Sequence, residues 1–232
     1  MASIDSLMDE MIRVIELEVD YTRDYIGREQ LDEGVMQAMR DVPRHEFVPE
    51  ESRSMAYANG PIPIGYGQTI SQPYIVALMT DLLEPQAEHV ILEVGTGSGY
   101  QAAVLSRLVK KVYSIEDIEP LVAPAQQRLK QLGYDNIEVR HGDGYFGLPE
   151  HAPYDGIIVT CGAPHVPQPL VEQLKPGGRL VIPVGHELFG QILLLVEKQP
   201  NGEVIQRKIL DVAFVPLTGT AHDHPADLGS WY

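Results

Sequence analysis

The spacing of hydrophobic positions changes near residue 73, and the two parts of the chain predict different structures. From residue 4 to residue 19, apolar residues recur every three or four positions, which predicts an amphipathic helix. A second helix is predicted over residues 29–40, ending before Pro43 because the position before a proline disfavours helical geometry. The glycine- and proline-rich stretch 59–67 is too long and irregular for a simple connector, and such loops often carry function.

Beyond residue 73, short apolar runs alternate regularly with helical segments. The predicted helices cover residues 73–83, 100–108, 119–132 and 167–174, and the predicted strands cover 89–94, 111–116, 137–141, 154–160 and 178–183. This alternation predicts an α/β fold: a doubly wound, Rossmann-like sheet, mostly parallel and covered on both faces.

The C-terminal part breaks the alternation. Segments 191–198 and 204–215 flank the pair Asn201-Gly202, a strong hairpin signal, so we expect an antiparallel hairpin at the sheet edge. The expected organisation is a single domain over residues 1–232. It comprises N-terminal helices with the irregular loop (1–85), the sheet (86–219) and a flexible tail (220–232).

Composition narrows the classes of function. A chain of 232 residues with 44% hydrophobic content can bury one sizeable core. The sequence lacks a signal-peptide pattern and an apolar run of roughly 20 residues, and its single cysteine fits a reducing compartment, so a cytoplasmic protein without membrane contact is expected. The net charge of −16 disfavours nucleic acid as a partner. No coiled-coil seam is visible, so a monomer is expected.

A glycine-rich turn follows the first predicted strand of the sheet. Glu93, Gly95, Gly97 and Gly99 form an acid-x-G-x-G-x-G pattern, whereas a dinucleotide fingerprint needs glycine where Tyr100 stands. Glycines let the backbone approach a ligand closely, and the following helix points its N–H groups at an anionic end. The pattern resembles the cofactor loop of class I methyltransferases, which bind S-adenosyl-L-methionine. That resemblance implies that Glu93, the three glycines, Thr96 and Ser98 bind the cofactor.

The next two strands also end in candidate ligand residues. Glu116 lies about 20 residues after the first glycine of the turn, the spacing at which a carboxylate accepts both ribose hydroxyls. Asp143 and Gly144 end the third strand, where a carboxylate can accept from the adenine amino group. Taken singly, Glu116 would be interpreted as a solvated acid, and Gly142-Asp143-Gly144 as an ordinary turn. Three such signals at successive strand ends favour S-adenosyl-L-methionine.

The segment after the fourth strand, residues 159–164, separates methyltransferase classes. It lacks the Asn/Asp-Pro-Pro-aromatic signature of amino-methylating enzymes. Cys161 follows threonine rather than the proline of cytosine C5 enzymes, so a small residue filling a tight position is favoured over a catalytic thiol. His222 and His224 form a His-x-His pair, but no further ligands cluster with them, so no metal site is expected.

Several motifs around the glycine loop occur in a family-specific order. They are Val42-Pro-Arg-His-Glu-Phe-Val-Pro49, Pro63-Ile-Gly65, Gln68-Thr-Ile-Ser-Gln-Pro73, Leu174-Lys-Pro-Gly-Gly-Arg179 and Phe214-Val-Pro-Leu217. From residue 30 to residue 218 the chain resembles protein-L-isoaspartate O-methyltransferases. The resemblance implies that Ser71 is the active-site serine and that Ile64, Thr69, Ile70 and Thr218 lie on the substrate side. The alternative for the serine is an N-cap of the following helix.

Two departures from the family pattern affect the substrate side. Asn59-Gly60 stands where relatives often have an aspartate, and Cys161-Gly162-Ala163 stands where they often have Ala-Ala. The implied activity is methyl transfer to the free α-carboxylate of isoaspartyl (and D-aspartyl) residues in damaged proteins and peptides, which starts their repair. This carboxylate is ionised at neutral pH, so no general base is required. The alternatives are a class I methyltransferase with another protein or small-molecule acceptor, and a binding module without catalysis.

Overall fold

The computed structural model describes residues 3–186 and 189–222. Within them, six α-helices form: α1 (Ile4–Ile26), α2 (Glu33–Asp41), α3 (Pro73–Leu82), α4 (Tyr100–Ser106), α5 (Glu119–Gln131) and α6 (Gln168–Glu172). The strands of the same residues are β1 (Ile62–Gly65), β2 (Gln68–Ile70), β3 (Val90–Val94), β4 (Lys111–Glu116), β5 (Ile137–His141), β6 (Tyr154–Val159), β7 (Leu174–His186), β8 (Gly190–Lys198) and β9 (Val204–Val212). Short 3-10 helices form several of the connections.

The two N-terminal helices differ from their predicted bounds at specific capping residues. Helix α1 continues past residue 19 and ends at Ile26, followed by Gly27 as a left-handed C-cap with a φ of 67°. The predicted start of α2 at residue 29 is wrong, because Asp32 is the N-cap and its carboxylate accepts from the N–H groups of Gly34 and Val35. Apolar periodicity identifies a helix, whereas the cap decides where it begins.

The large sheet has the strand order β5-β4-β3-β6-β7-β8-β9. Its first five strands run parallel, and β8 and β9 add to β7 in antiparallel orientation. This confirms the predicted doubly wound, mostly parallel sheet with an antiparallel C-terminal hairpin. The chain places β4 and β5 on one side of β3, then β6 and β7 on the other. Ligands bind in such sheets at the carboxyl ends of the strands where the order reverses.

The C-terminal hairpin forms at the predicted Asn-Gly pair. Gly202 adopts a φ of 86°, and Gln199 donates from its backbone N–H to the carbonyl of Glu203 at 2.7 Å. Strand β9 ends earlier than predicted, at residue 212, and the chain then crosses back over the sheet. Gly162 anchors this return, because its N–H donates to the carbonyl of Val215 at 2.8 Å. Residues 214–218 therefore lie against the carboxyl end of β6.

The stretch 59–67 is more regular than the sequence indicates. Strands β1 and β2 pair in antiparallel orientation, with Ile62 opposite Ile70, and both side chains are buried. Tyr66 and Gly67 form the connection with φ values of 53° and 72°. The prediction of an irregular loop is therefore wrong for this part, which forms a short hairpin beside the large sheet.

Both faces of the sheet are covered by apolar side chains. Along β3, Ile91 packs into the cluster that contains the N-terminal helices and α3, whereas Leu92 and Val94 pack into the cluster on the other face. Side chains on both faces of this strand are buried, as parallel sheets in α/β folds require. Glu93 lies on this strand and is also fully buried, which makes it a polar exception within the core.

Candidate active site

A cleft opens at the carboxyl ends of β3, β4 and β6, where the strand order reverses. It contains about 690 Å³ of empty space including its mouth, a volume suited to a small-molecule site. The walls come from the glycine loop, the end of β4, residues 68–71 and residues 215–218. Glu116 and Asp117 line the cleft, and none of its described lining residues is a lysine, arginine or histidine.

The glycine loop forms the floor beside β3. Gly95, Gly97 and Gly99 have φ values of 95°, 52° and 88°, in the region where glycine avoids the steric cost of a side chain. A Cβ on Gly95 would collide with the hydroxyl of Thr160. Residues 95–98 line the cleft, and Gly99 is the N-cap of α4. The predicted loop residues are therefore brought together, with the last glycine at the start of the helix rather than in the wall.

Glu116 lies in the cleft wall with its carboxylate fixed by the backbone. One oxygen accepts from the N–H of Gly97 at 2.7 Å, and the other accepts from the N–H of Ile118 at 3.0 Å. A carboxylate has about four acceptor sites, so both oxygens keep acceptor capacity for hydroxyl groups in the cleft. The predicted ribose ligand therefore also holds the glycine loop against the end of β4.

Glu93 lies beneath the loop rather than in the cleft wall. Its carboxyl is fully buried, the hydroxyl of Ser114 hydrogen-bonds one oxygen, and the other oxygen has no partner among the described residues. The same hydroxyl contacts that of Thr96 at 2.5 Å. Burial raises the pKa of Glu93 to about 8; the Ser114 hydrogen bond lowers it, and the nearby charge of Glu116 raises it. The three side chains connect β3 and β4 to the glycine loop.

Asp143 follows β5, as predicted, but its carboxylate is engaged by a distant part of the chain. It accepts from the N–H of Tyr145 at 2.9 Å and from Thr220 twice, at 2.9 Å from N and 2.7 Å from Oγ1. Gly144 lines the cleft next to it. The described start of the predicted tail, residues 220–222, thus belongs to a short 3-10 turn held by Asp143, and residues 223–232 lie outside the described residues.

Ser71 lines the cleft immediately after β2. The N-cap of α3 is Gln72, and no side chain makes a capping hydrogen bond there, so the capping interpretation of the serine is wrong. Its carbonyl accepts from Arg44 at 2.7 Å. Its hydroxyl has no hydrogen-bond partner among the described residues, which leaves it available to a ligand in the cleft.

The other residues predicted on the substrate side surround the same space. Thr69 and Ile70 line the cleft from β2, and Thr218 lines it from the returning C-terminal segment. Ile64 approaches the glycine loop from β1, because a Cβ on Gly97 would lie 3.4 Å from its Cδ1. The hairpin therefore joins the glycine loop to form one continuous pocket wall.

Arg44 was not singled out by the sequence pattern. It is fully buried, and its guanidinium donates to the carbonyls of Ala56 and Ser71, each at 2.7 Å. The Cζ atom lies 4.8 Å from the centroid of the Tyr100 ring. Its place inside the Val42–Pro49 motif is the only signal that the sequence gives, since an arginine is usually exposed.

The comparisons with known proteins agree with this architecture. A sequence model of the protein-L-isoaspartate(D-aspartate) O-methyltransferase family matches residues 24–222. The chain belongs to this family. Among curated relatives, protein-L-isoaspartate O-methyltransferase 2 of Syntrophobacter fumaroxidans is 61% identical, covering 90% of this chain and 85% of the relative. The Nitrosococcus oceani protein of the same name is 59% identical, covering 93% and 98%.

Solved structures give the same result for the fold of this isoaspartate methyltransferase family member. A protein-L-isoaspartate O-methyltransferase superimposes with a TM-score of 0.81 at 28% identity, covering 92% of this chain and 67% of the other. A Plasmodium falciparum structure described as a beta-aspartate methyltransferase, in complex with S-adenosyl-L-homocysteine, gives a TM-score of 0.75 at 25% identity, covering 94% and 99%.

The single cysteine of this isoaspartate methyltransferase family member lies in the cleft wall but lacks the surroundings of a nucleophile. Cys161 is buried, and burial raises the pKa of its thiol; the carboxylates of Glu116 and Asp117 raise it further. A reactive thiolate needs the opposite environment, with cations nearby. This favours the role of a small filling residue over a catalytic one.

Within residues 3–186 and 189–222, no three metal-ligating side chains come together. In the same residues, no helix is long and apolar enough to span a bilayer. The absence of a metal site was predicted for the whole chain. It stays a prediction, because His224 of the His-x-His pair lies outside the described residues.

Proposed function

We propose that this chain transfers a methyl group from S-adenosyl-L-methionine to the free α-carboxylate of isoaspartyl residues in damaged proteins and peptides. The family membership of residues 24–222 supports the reaction. The observation that carries the assignment to this cleft is the position of the Ser71 hydroxyl. Ser71 lines the same pocket as the glycine loop and Glu116, and its hydroxyl has no hydrogen-bond partner among the described residues.

The residues of the cleft fit the proposed cofactor. The three positive-φ glycines open the loop to close approach, and Glu116 keeps acceptor capacity for ribose hydroxyls. The Asp143 carboxylate already accepts from Tyr145 and twice from Thr220. Gly144, which lines the cleft, is therefore the more direct neighbour of the adenine base of the cofactor. When bound, S-adenosyl-L-methionine supplies an electrophilic methyl group.

The substrate half of the cleft has the chemistry that an ionised nucleophile needs. An α-carboxylate titrates at about 3.3–3.7, so it arrives charged and requires no base to remove a proton. The described lining residues agree, because they include no histidine and the Cys161 thiol stays protonated. Ser71 would donate a hydrogen bond that orients the carboxylate. Apolar walls such as Ile70, Val94 and Leu217 exclude water around the reacting atoms.

We further propose that the protein acts as a monomer in the cytoplasm and on proteins rather than nucleic acids. The net charge of −16 supports the last point, because such a surface repels polyphosphate. The single cysteine supports a reducing compartment. Sedimentation at micromolar concentration tests the monomer, and a second copy in the sedimenting species would contradict it.

The test uses radiolabelled S-adenosyl-L-methionine and two peptides that differ only in an isoaspartyl or a normal aspartyl residue. Base-labile label on the isoaspartyl peptide alone is expected, since a carboxyl methyl ester is labile to base. Equal labelling of both peptides contradicts recognition of the isoaspartyl linkage. If neither peptide is labelled while S-adenosyl-L-homocysteine still binds, the acceptor belongs to another class.

A further inference from the structure

Arg44 is a buried cation that forms no ion pair within the part of the chain that the structure describes. No carboxylate among the described residues lies within salt-bridge distance of its guanidinium, although charged side chains in protein cores are normally paired. Nη1 has no hydrogen-bond partner in the described ranges 3–186 and 189–222. Burial lowers the pKa of the guanidinium, and the nearby Tyr100 counteracts that effect. Burying an unpaired charge costs free energy, so packing alone does not explain the position of Arg44.

Its hydrogen bonds converge on the backbone beside the substrate half of the cleft. Nε donates to the carbonyl of Ala56 at 2.7 Å, and Nη2 donates to the carbonyl of Ser71 at 2.7 Å and to that of Gly60 at 3.5 Å. The contacted residues come from three separate parts of the 56–71 segment. The guanidinium therefore ties both ends of the β1–β2 hairpin together directly behind Ser71.

The charge also complements the electrostatics of the cleft. Glu116 and Asp117 are the ionisable acids of the described wall, and the chain carries a net charge of −16, so an anionic acceptor meets an unfavourable field. Arg44 lies next to two lining residues, since it bonds the carbonyl of Ser71 and covers the ring of Tyr100. In a buried environment, a cation acts on a nearby anion with little screening.

We propose that Arg44 is a positioning residue for the acceptor carboxylate: it holds Ser71 from behind and supplies positive charge to the substrate half of the cleft. This rests on the proposed carboxyl methylation. Arg44 is expected to affect the substrate half of the site and not the cofactor half. It hydrogen-bonds Ser71 and the residues beside the hairpin, but among the described residues it has no hydrogen bond to the glycine loop.

The test compares Arg44→Lys and Arg44→Met with Arg53→Lys and Arg53→Met, in which an exposed arginine of the same segment is changed. For each variant, KM for an isoaspartyl peptide, kcat and the Kd for S-adenosyl-L-homocysteine are measured, with the melting temperature as a folding control. We expect Arg44→Met to raise KM for the peptide at least tenfold, with the Kd within twofold of wild type. Arg44→Lys should recover at least a third of the lost kcat/KM, because it restores the charge, and the Arg53 variants should behave as wild type.

Two results would overturn the inference. If Arg44→Met keeps the wild-type KM for the peptide, the residue does not position the acceptor. If Arg44→Lys and Arg44→Met both lose affinity for S-adenosyl-L-homocysteine along with melting temperature, the role is general stabilisation of the fold. Failure of the proposed function is recognised separately, because the wild-type protein would then not label the isoaspartyl peptide at all.

Discussion

The side chain of Gln191 occupies the space that a Cβ atom on Gly162 would need. The buried amide of Gln191 also bridges the backbone of Phe214, accepting from its N–H at 2.6 Å and donating to its carbonyl at 3.1 Å. Phe214 begins the segment that returns to the cleft wall. The packing of Gln191 leaves no space for a side chain at position 162, which gives this glycine a steric reason.

We expect Gly162→Ala to lower the free energy of unfolding by about 1–3 kcal/mol, because the added methyl group overpacks a buried site. The cost should be smaller in a Gln191→Ala background, where the space is empty, with a coupling of about 0.5–3 kcal/mol. Urea unfolding of the four proteins measures both values. Gly60→Ala is the control, since its Cβ meets no atom within 4 Å. Equal costs of the Gly162 change in both backgrounds would show that the two residues are independent.

Ser71→Ala should reduce kcat/KM for an isoaspartyl peptide by about 10- to 100-fold, the effect of losing one hydrogen bond to a charged group. The melting temperature should hardly change, because Gln72 is the N-cap of α3 and no side-chain cap is lost. Steady-state kinetics with calorimetry provide both readouts, and Ser54→Ala serves as an exposed control. A destabilised variant with normal turnover would instead assign the serine a structural role.

The parts of the site that sequence analysis predicted depend on short-range rules. A glycine loop after an apolar strand and an acid at the end of the next strand can be read from local spacing, and Gly97 and Glu116 lie in the cleft accordingly. The sequence also located the hairpin at Asn201-Gly202, because the signal lies within a few consecutive residues, of which Gly202 adopts the positive φ that favours glycine. Such features need no knowledge of which distant segments meet.

The parts that were missed depend on contacts between distant segments. Arg44 bonds a carbonyl 27 positions away, and Ser114 bonds Glu93 21 positions away, so neither partner is visible in a local pattern. A buried arginine and a serine inside a strand look like surface residues until the fold buries them. Thr220 bonds Asp143 across 77 positions, which is why residue 220 was predicted to be part of a loose tail.

Asp143 is predicted to support cofactor binding through the turn that it holds. Asp143→Ala removes the acceptor of three hydrogen bonds and should weaken S-adenosyl-L-homocysteine binding about tenfold or more. Thr220→Val retains the backbone bond and should weaken binding less. Isothermal titration calorimetry measures both, with the exposed Asp135→Ala as control. An unchanged Kd for Asp143→Ala would refute a role for this carboxylate on the adenine side.

Glu93 should make the stability of the protein depend on pH in a defined direction. Its folded pKa is about 8, whereas glutamate in an unfolded chain titrates near 4.5. Between these values the folded state binds the extra proton, so the free energy of unfolding decreases as pH rises and levels off above pH 8. Complete burial of the carboxyl makes the total loss a few kcal/mol.

Glu93→Gln removes this titration while keeping the size of the side chain. We therefore expect the stability of the variant relative to wild type to increase steadily from pH 5 to pH 8, with no further change above. Urea unfolding at unit pH intervals measures the difference, and other titrating groups cancel because both proteins share them. Glu88→Gln, at an exposed position, should give a curve parallel to wild type. A Glu93→Gln curve that is also parallel to wild type would mean that the buried carboxyl is ionised in the folded protein, with the hydrogen bond from Ser114 helping to offset the cost of burial.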